Sequence, residues 1–206
     1  MKAQNVIDAF LDFDCFQEEI RDTLFFGSLP HWQRTPVRSL LREGLIRERN
    51  WAEIAYALAT AYHETGRFRW MSEIGEGEGR PYGDLIYLTR RQQVAYYGRG
   101  YVQLTWLRNY AVMGERLGLP LVVEPDRAKD PEVAAMILWE GMIDGMFTGV
   151  AFSDVANGSE TLDFVEARRI INGTDRADDI ADIASRFLHA LLKAVQRRHA
   201  EAEASV

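Results

Sequence analysis

A chain of 206 residues, 47% of them hydrophobic, is long enough to bury a substantial core as a single domain. Its 24 basic and 31 acidic side chains give a net charge of −7, which argues against nucleic acid as a partner. The single cysteine, Cys15, excludes an internal disulfide and a metal site built from several thiolates.

The hydrophobic pattern predicts helices along nearly the whole chain. Apolar positions at helical spacing favour helices over residues 4–13, 15–25, 32–43, 51–65, 89–96, 106–117, 131–145, 161–171 and 177–198. A small β-hairpin is expected near residues 70–88, and the prolines between residues 120 and 131 mark a loop that links two lobes. We therefore expect one mainly α-helical domain over residues 1–206, with residues 200–206 as a flexible tail.

The N-terminal segment has no sign of an export signal. Residues 1–20 are acidic and lack the positively charged and apolar regions of a signal peptide. No segment reaches the roughly 20 consecutive apolar residues of a membrane span. We expect a monomer that is cytoplasmic as synthesised and that acts outside the cell only if another route, such as a holin, releases it.

The helix predicted over residues 51–65 positions the first chemically informative side chain. Asn50 is a good N-cap, and Glu53 can return a hydrogen bond to it as in a capping box. Apolar and small residues then recur at helical spacing and form one buried stripe, made of Ile54, Leu58, Ala61 and Thr65. Glu64 lies beside this stripe in the last turn, and Gly66 is a natural helix end.

A second carboxylate, Glu73, follows nine positions after Glu64. A continued helix would separate the two acids by about 13 Å, and an extended chain would separate them by roughly 30 Å. Paired acids that hydrolyse a sugar–sugar bond with inversion lie about 6.5–9.5 Å apart. A paired site therefore requires a turn after Gly66. On spacing alone, two solvated surface glutamates are the simpler interpretation.

A second stretch, residues 96–105, contains too many glycines and amides for plain core. Gln103 and Thr105 can point the same way from an extended segment, and Thr105 and Asn109 would share a helix face one turn apart. Each is alternatively a buried polar residue satisfied by backbone groups. The three tyrosines of the stretch are candidates for stacking on sugar rings, although at least one is expected in the core.

These motifs together resemble the family 19 glycoside hydrolases, most closely the compact phage and bacterial members, which are chitinase-like enzymes and endolysins. The matching segments are His63-Glu64-Thr65, Glu73, residues 97–105 with Asn109-Tyr110, and residues 167–173. The resemblance covers about residues 15 to 190. It implies a lysozyme-like, two-lobed helical domain with a central cleft.

The resemblance also implies an activity, inverting hydrolysis of β-1,4 bonds between N-acetylated amino sugars in peptidoglycan or chitin. Glu64 then corresponds to the general acid and Glu73 to the general base. Thr105 corresponds to the hydroxyl that helps to fix the attacking water. The substrate-binding positions are His63, Tyr97, Gln103, Thr105, Asn109 and Asn172. A polysaccharide is the expected partner, with no cofactor and no metal.

Three glutamates are candidates for the general base, because Glu76 and Glu78, in an acid-rich glycine loop, compete with Glu73. Arg67 and Arg69 either hold the base charged or are solvated arginines without a role.

Two positions near the C-terminus are also open. Asn172 either contacts sugar or only ends a helix. The family's arginine near the catalytic acid has no direct counterpart, which leaves Arg176 or Arg186 as candidates.

Other chemistries have little support. The four histidines are scattered, and His63-Glu64 does not begin a zinc-protease motif because Arg67 stands where the second histidine is required. The alternative function is a catalytically inert relative that binds glycan or serves as a structural part of a virion or secretion apparatus. Two retained acids with three neutral polar side chains favour the enzyme.

Overall fold

The computed structural model describes residues 5–156 and 161–204. Its α-helices are α1 (Asn5–Phe10), α2 (Phe13–Thr23), α3 (His31–Ile46), α4 (Trp51–Glu64), α5 (Leu107–Leu117), α6 (Pro131–Ile143), α7 (Phe152–Val155) and α8 (Ala177–Ala204). Short 3-10 helices cover Pro81–Gly83, Pro125–Lys129 and Glu166–Ile170, and two strands, β1 (Ile86–Thr89) and β2 (Gln92–Val94), form an antiparallel hairpin. The prediction of a mainly helical chain with at most a small hairpin is confirmed.

Helix α4 begins with the predicted capping box. The Glu53 backbone N–H donates to Asn50 Oδ1 at 2.9 Å, and the Asn50 N–H donates to Glu53 Oε2 at 3.3 Å. Arg49 also donates to both oxygens of Glu53, at 2.8 and 2.6 Å. The predicted stripe is fully buried, because Ile54, Leu58, Ala61 and Thr65 are all 0% exposed. Tertiary packing and end capping therefore act together to fix the helix that carries Glu64.

The hairpin lies further along the chain than the sequence predicted. A hairpin was predicted near residues 70–88, whereas the observed hairpin covers residues 86–94. The helix predicted over residues 89–96 is wrong, because β2 and the hairpin turn occupy this segment. Thr89 Oγ1 accepts hydrogen bonds from the backbone N–H groups of Arg91 and Gln92, at 3.2 and 3.1 Å. This side-chain turn competes with helix formation and joins the strands.

The α-helix predicted over residues 161–171 is also wrong, since only Glu166–Ile170 is helical there, as a 3-10 turn. Asp163 Oδ1 accepts hydrogen bonds at 3.0 Å from the N–H groups of Val165 and Glu166. An acidic side chain bonded to the next turn of backbone favours a tight turn over an α-helix. Helix α7 was not predicted because four residues are too few for a periodic signal.

The chain divides into two compact units whose boundaries fall inside α4 and α6. One unit comprises Met1–Thr60 and Trp139–Val206, and in it α2 packs against α8. Trp139 is fully buried, and its indole N–H donates to the Leu40 carbonyl at 3.0 Å. Gly44 permits this packing, because a Cβ there would lie 2.6 Å from Trp139 Cζ2.

The other unit comprises Ala61–Leu138. It contains the hairpin, α5 and the loops that carry most of the polar residues singled out in the sequence. Its core is aromatic, with Tyr96, Tyr101 and Tyr110 at most 1% exposed. Tyr96 and Tyr110 meet edge to face with their ring centroids 5.2 Å apart.

Helix α8 continues through Ala204, so the described part of the predicted tail, residues 200–204, is helical and exposed. Residues 205–206 lie outside the described chain. Within residues 5–156 and 161–204, none of the helices combines the length and apolar composition that crossing a membrane requires.

Candidate active site

Helix α4 ends at Glu64 in a Schellman motif. The N–H of Gly66 donates to the His63 carbonyl at 3.2 Å, and the N–H of Arg67 donates to the Tyr62 carbonyl at 2.7 Å. Gly66 has a φ of 55°, in the left-handed region where glycine is favoured. The predicted helix end is therefore observed. Glu64 is half-buried in the last helical turn.

The turn that a paired site requires follows at once and is organised by Thr65. The Thr65 carbonyl accepts from the N–H groups of both Arg69 and Trp70, at 2.9 Å each. Its hydroxyl donates to the Ala61 carbonyl and accepts from the Phe68 N–H at 3.0 Å. Because residues 65 and 70 are joined in this way, the chain neither continues as a helix nor extends away from Glu64.

Residues 71–73 then pair antiparallel with residues 98–100. The Gly100 N–H donates to the Met71 carbonyl at 2.9 Å, and the Glu73 N–H donates to the Gly98 carbonyl at 2.8 Å. This short ladder joins the two motifs that the sequence singled out, the segment after Glu64 and the glycine-rich stretch.

The Glu73 carboxylate is held at both oxygens. Tyr82 Oη donates to Oε1 at 2.9 Å, and the Gly98 N–H donates to Oε2 at 2.9 Å. Both partners are donors, so the group acts as an acceptor at each oxygen, as an ionised carboxylate does. Sequence reasoning did not find Tyr82, because no local pattern links it to a glutamate nine residues earlier.

The competing acids Glu76 and Glu78 are exposed. Their loop is a run of tight turns, in which the Glu76 N–H donates to the Glu73 carbonyl at 3.1 Å and the Glu78 N–H donates to the Gly75 carbonyl at 2.8 Å. Gly77, between the two acids, is buried, while both acids face solvent.

Gln103 lies beside Glu73. A Cβ built on Gly98 would lie 2.9 Å from Gln103 Oε1 and 3.3 Å from Glu73 Cβ, so both side chains flank this glycine. Gln103 has a positive φ of 50°, and its Nε2 donates to the Gly100 carbonyl at 2.9 Å. The amide is thereby oriented by the same loop that holds Glu73.

Thr105 lies just before α5, and Asn109 lies in its first turn. Asn109 is exposed, and its Nδ2 donates to the Thr105 carbonyl at 2.9 Å. Thr105 precedes the helix, which begins at Leu107, rather than forming part of it.

Tyr97 is mostly buried, and its contact with substrate stays a prediction. Tyr97 is 7% exposed, and the Arg99 guanidinium lies 3.5 Å from its ring centroid. Arg99 is 3% exposed, forms an ion pair with Asp126 at 2.9 Å, and donates to the carbonyls of Ala95 and Tyr97 and to Tyr110 Oη. Tyr97 therefore packs against Arg99 and supports the loop from inside.

The remaining predicted residues lie at the end of α4, in the turn that follows it, and in the other unit. His63 is half-buried in the last turn of α4, and Arg67 and Arg69 are exposed in the turn that follows. Asn172 belongs to the other unit, where it is exposed and its N–H donates to the Arg168 carbonyl at 2.9 Å. Its contact with sugar stays a prediction.

The two arginines considered as replacements for the family's arginine form local ion pairs. Arg176 pairs with Asp179 and Arg186 with Asp182, each at 2.9 Å. A role for either stays a prediction. Among residues 5–156 and 161–204, no group of three or more His, Cys, Asp or Glu side chains is placed to hold a metal ion.

Substitution of Gly83 is expected to disturb the loop that carries Tyr82. A Cβ at Gly83 would lie 2.0 Å from the Gly77 carbonyl oxygen, so the backbone must move. We expect Gly83→Ala to lower the free energy of unfolding by about 1–3 kcal/mol, measured by urea denaturation. The control is Gly79→Asn, since no neighbouring atom lies within 4 Å of a Cβ there and asparagine tolerates a positive φ. If both variants and the parent had the same free energy of unfolding, the close approach of Gly83 to the Gly77 carbonyl would be contradicted.

Replacement of Glu73 is expected to change the ionisation of Tyr82. The hydrogen bond to Glu73, with burial and the Glu73 charge, raises the pKa of Tyr82. A raised pKa means that the protonated phenol stabilises the fold fully below about pH 10 and that this contribution is lost as pH rises through the folded value. In Glu73→Gln the pKa of Tyr82 should fall. NMR of tyrosine carrying carbon-13 at Cζ measures the pKa of Tyr82, with Tyr82→Phe used to assign the signal. If the pKa of Tyr82 is the same in Glu73→Gln and the parent, the hydrogen bond between Tyr82 and Glu73 is absent in solution.

No protein-family model matches the chain. It is 42% identical to an endochitinase of Arabidopsis thaliana over 91 residues, which are 42% of this chain and 31% of that protein. It is 37% identical to endochitinase B of Zea mays over 103 residues, which are 46% of this chain and 35% of that protein. The chain thus spans about a third of the length of these curated relatives.

Two solved chitinase structures resemble the chain at low sequence identity. Chitinase C from Streptomyces griseus HUT6037 is 23% identical, with a TM-score of 0.49, and the match covers 89% of this chain and 70% of that one. The class IV family 19 chitinase from Zea mays is 19% identical, with a TM-score of 0.49, and the match covers 82% and 87%. The curated matches bear out the resemblance to chitinases that the motifs predicted.

Proposed function

We propose that this chain is a glycoside hydrolase that cleaves β-1,4 bonds between N-acetylated amino sugars with inversion at the anomeric carbon. The observation that carries the proposal is the Glu73 carboxylate, held at both oxygens by Tyr82 and Gly98. It sits on the loop paired with the Gly98–Thr105 stretch and follows the turn that begins at Glu64. A fixed acceptor that follows a second, half-buried acid across a turn suits a base and acid pair.

In this proposal Glu64 gives its proton to the leaving glycosidic oxygen. Glu73 takes a proton from a water that attacks the anomeric carbon from the opposite face of the sugar. The Thr105 hydroxyl holds that water, and the amides of Gln103 and Asn109 bind hydroxyl and acetamido groups. Neutral donors and acceptors suit an uncharged amino-sugar chain. His63 and Asn172 are further substrate contacts in the proposal.

The proposed polymer is chitin, because the curated relatives are endochitinases. Peptidoglycan is the second substrate, since its glycan strand contains the same β-1,4 linkage between N-acetylated sugars. The residues above contact only the sugar backbone in the proposal, so they do not by themselves separate the two polymers.

Digestion of chitin hexamer and purified peptidoglycan in parallel tests the proposal. Mass spectrometry identifies the new reducing ends, and proton NMR of the first products should give the α-anomer, the result of inversion at a β-linked sugar. New ends from the hexamer alone support chitin, and ends from both extend the substrate to peptidoglycan. Binding without new ends from either would overturn the proposal in favour of an inert glycan-binding protein.

A further inference from the structure

Tyr82 contacts the proposed base but is no part of the chemistry described above. Its hydroxyl donates to Glu73 Oε1 at 2.9 Å, while the other oxygen accepts the Gly98 N–H at 2.9 Å. A glutamate carboxylate ordinarily turns about its last torsion angle, which has a broad and shallow preference. Two donors on two different oxygens oppose this rotation and fix the plane of the group.

Tyr82 is itself held by two neighbouring segments. The Tyr96 N–H donates to the Tyr82 carbonyl at 3.1 Å, and the Trp106 N–H donates to the Tyr96 carbonyl at 2.9 Å. The Trp106 ring returns to meet the Tyr82 ring edge to face, with centroids 5.5 Å apart. These contacts form a closed circuit through residues 82, 96 and 106.

Trp106 takes an unusual backbone conformation within this circuit. Its φ is 69°, a region that costs a non-glycine residue free energy unless its surroundings impose it. The side chain is 48% exposed, so burial of the indole does not account for the conformation. The contacts with Tyr96 and Tyr82 hold it on one side, and its carbonyl accepts from the N–H groups of Asn109 and Tyr110 at 3.0 and 3.2 Å on the other.

The circuit connects the base to the segment that carries the other polar residues. Trp106 lies between Thr105 and α5, and the first turn of α5 contains Asn109. Through Tyr82, the Glu73 carboxylate is therefore held in a fixed relation to Thr105 and Asn109.

We propose that Tyr82 is a positioning residue that orients the Glu73 carboxylate toward the attacking water, and that Trp106 holds Tyr82 in place. The inference rests on the proposed function. The charged groups that act on the phenol are Glu73 and Arg80. While the phenol is protonated it donates to Glu73; an ionised phenol would repel the carboxylate.

Tyr82→Phe tests the inference because it removes the hydroxyl and keeps the ring against Trp106. We expect kcat on chitin hexamer to fall by about tenfold or more, the range for a hydrogen bond to a charged group. KM should be unchanged, because the hydroxyl contacts the base and not the sugar in the proposal. A merely structural role would lower the melting temperature and change KM together with kcat.

The matched control is Tyr87→Phe, the same change on the 69%-exposed Tyr87 of β1, which should keep the parental kcat and KM. A parental kcat in Tyr82→Phe, with an active parent protein, would overturn the inference and leave the proposed function intact. A parent protein that cleaves neither polymer would overturn both.

A double-mutant cycle tests the part assigned to Trp106. Trp106→Leu should also lower kcat, and combining it with Tyr82→Phe should cost less than the product of the two separate effects, because both act through Glu73. If the loss of kcat in the double variant equals the product of the two separate losses, the role assigned to Trp106 is overturned.

Discussion

Replacement of Glu64 by glutamine is expected to abolish most activity on chitin hexamer, with kcat falling by about 10²–10⁴-fold. The amide has nearly the same shape but no acidic proton to give to the leaving oxygen. The fold should be retained, because Glu64 is only half-buried and the end of α4 is fixed by backbone hydrogen bonds at Gly66 and Arg67. Rates from mass spectrometry of the products and the melting temperature measure the two effects separately.

The leaving group provides a sharper test of the same residue. A dinitrophenyl glycoside of a chitin oligomer releases a stable anion that needs no proton, so Glu64→Gln should cleave it at nearly the parental rate. Glu115→Gln, the same change on the exposed face of α5, should leave both substrates unaffected. Equal losses on both substrates, or no loss on the hexamer, would show that Glu64 is not the acid.

Local signals predicted the parts of the fold that local contacts determine. The capping box of Asn50 and Glu53, the buried stripe of α4 and the helix end at Gly66 all depend on residues within one or two turns. The prediction failed where side chains compete with the helix for backbone groups. Thr89 and Asp163 both form such side-chain turns, and neither interrupts the apolar spacing that suggested helices.

The candidate site shows the same limit at longer range. The sequence motifs contained Glu73 and Gln103, but the ladder that joins residues 71–73 to residues 98–100 depends on how the chain turns at Thr65. Tyr82 was missed because no local pattern links it to a glutamate nine residues earlier. Tyr97, which the resemblance places at the substrate, is mostly buried with the Arg99 guanidinium against its ring, a contact that no sequence pattern predicts. Residue type predicted the chemistry, and tertiary contacts decided which side chains are available for it.

The second large effect is expected at Glu73. The structure separates it from the competing acids, because its carboxylate accepts from Tyr82 and Gly98 while Glu76 and Glu78 are exposed on a loop of tight turns. A base must hold a fixed position toward the water that it activates. We expect Glu73→Gln to lower kcat by about 10²–10⁴-fold, and Glu76→Gln and Glu78→Gln to keep most of the parental rate on chitin hexamer.

Azide distinguishes loss of the base from loss of the fold. A small anion needs no deprotonation, so in Glu73→Ala it can enter the space of the missing carboxylate and attack the anomeric carbon directly. The product should be a glycosyl azide of inverted configuration, identified by NMR, and cleavage should rise with azide concentration. Glu64→Gln is the control, since azide cannot supply a proton to the leaving oxygen. Rescue of Glu76→Ala or Glu78→Ala in place of Glu73→Ala would move the base into the glycine loop.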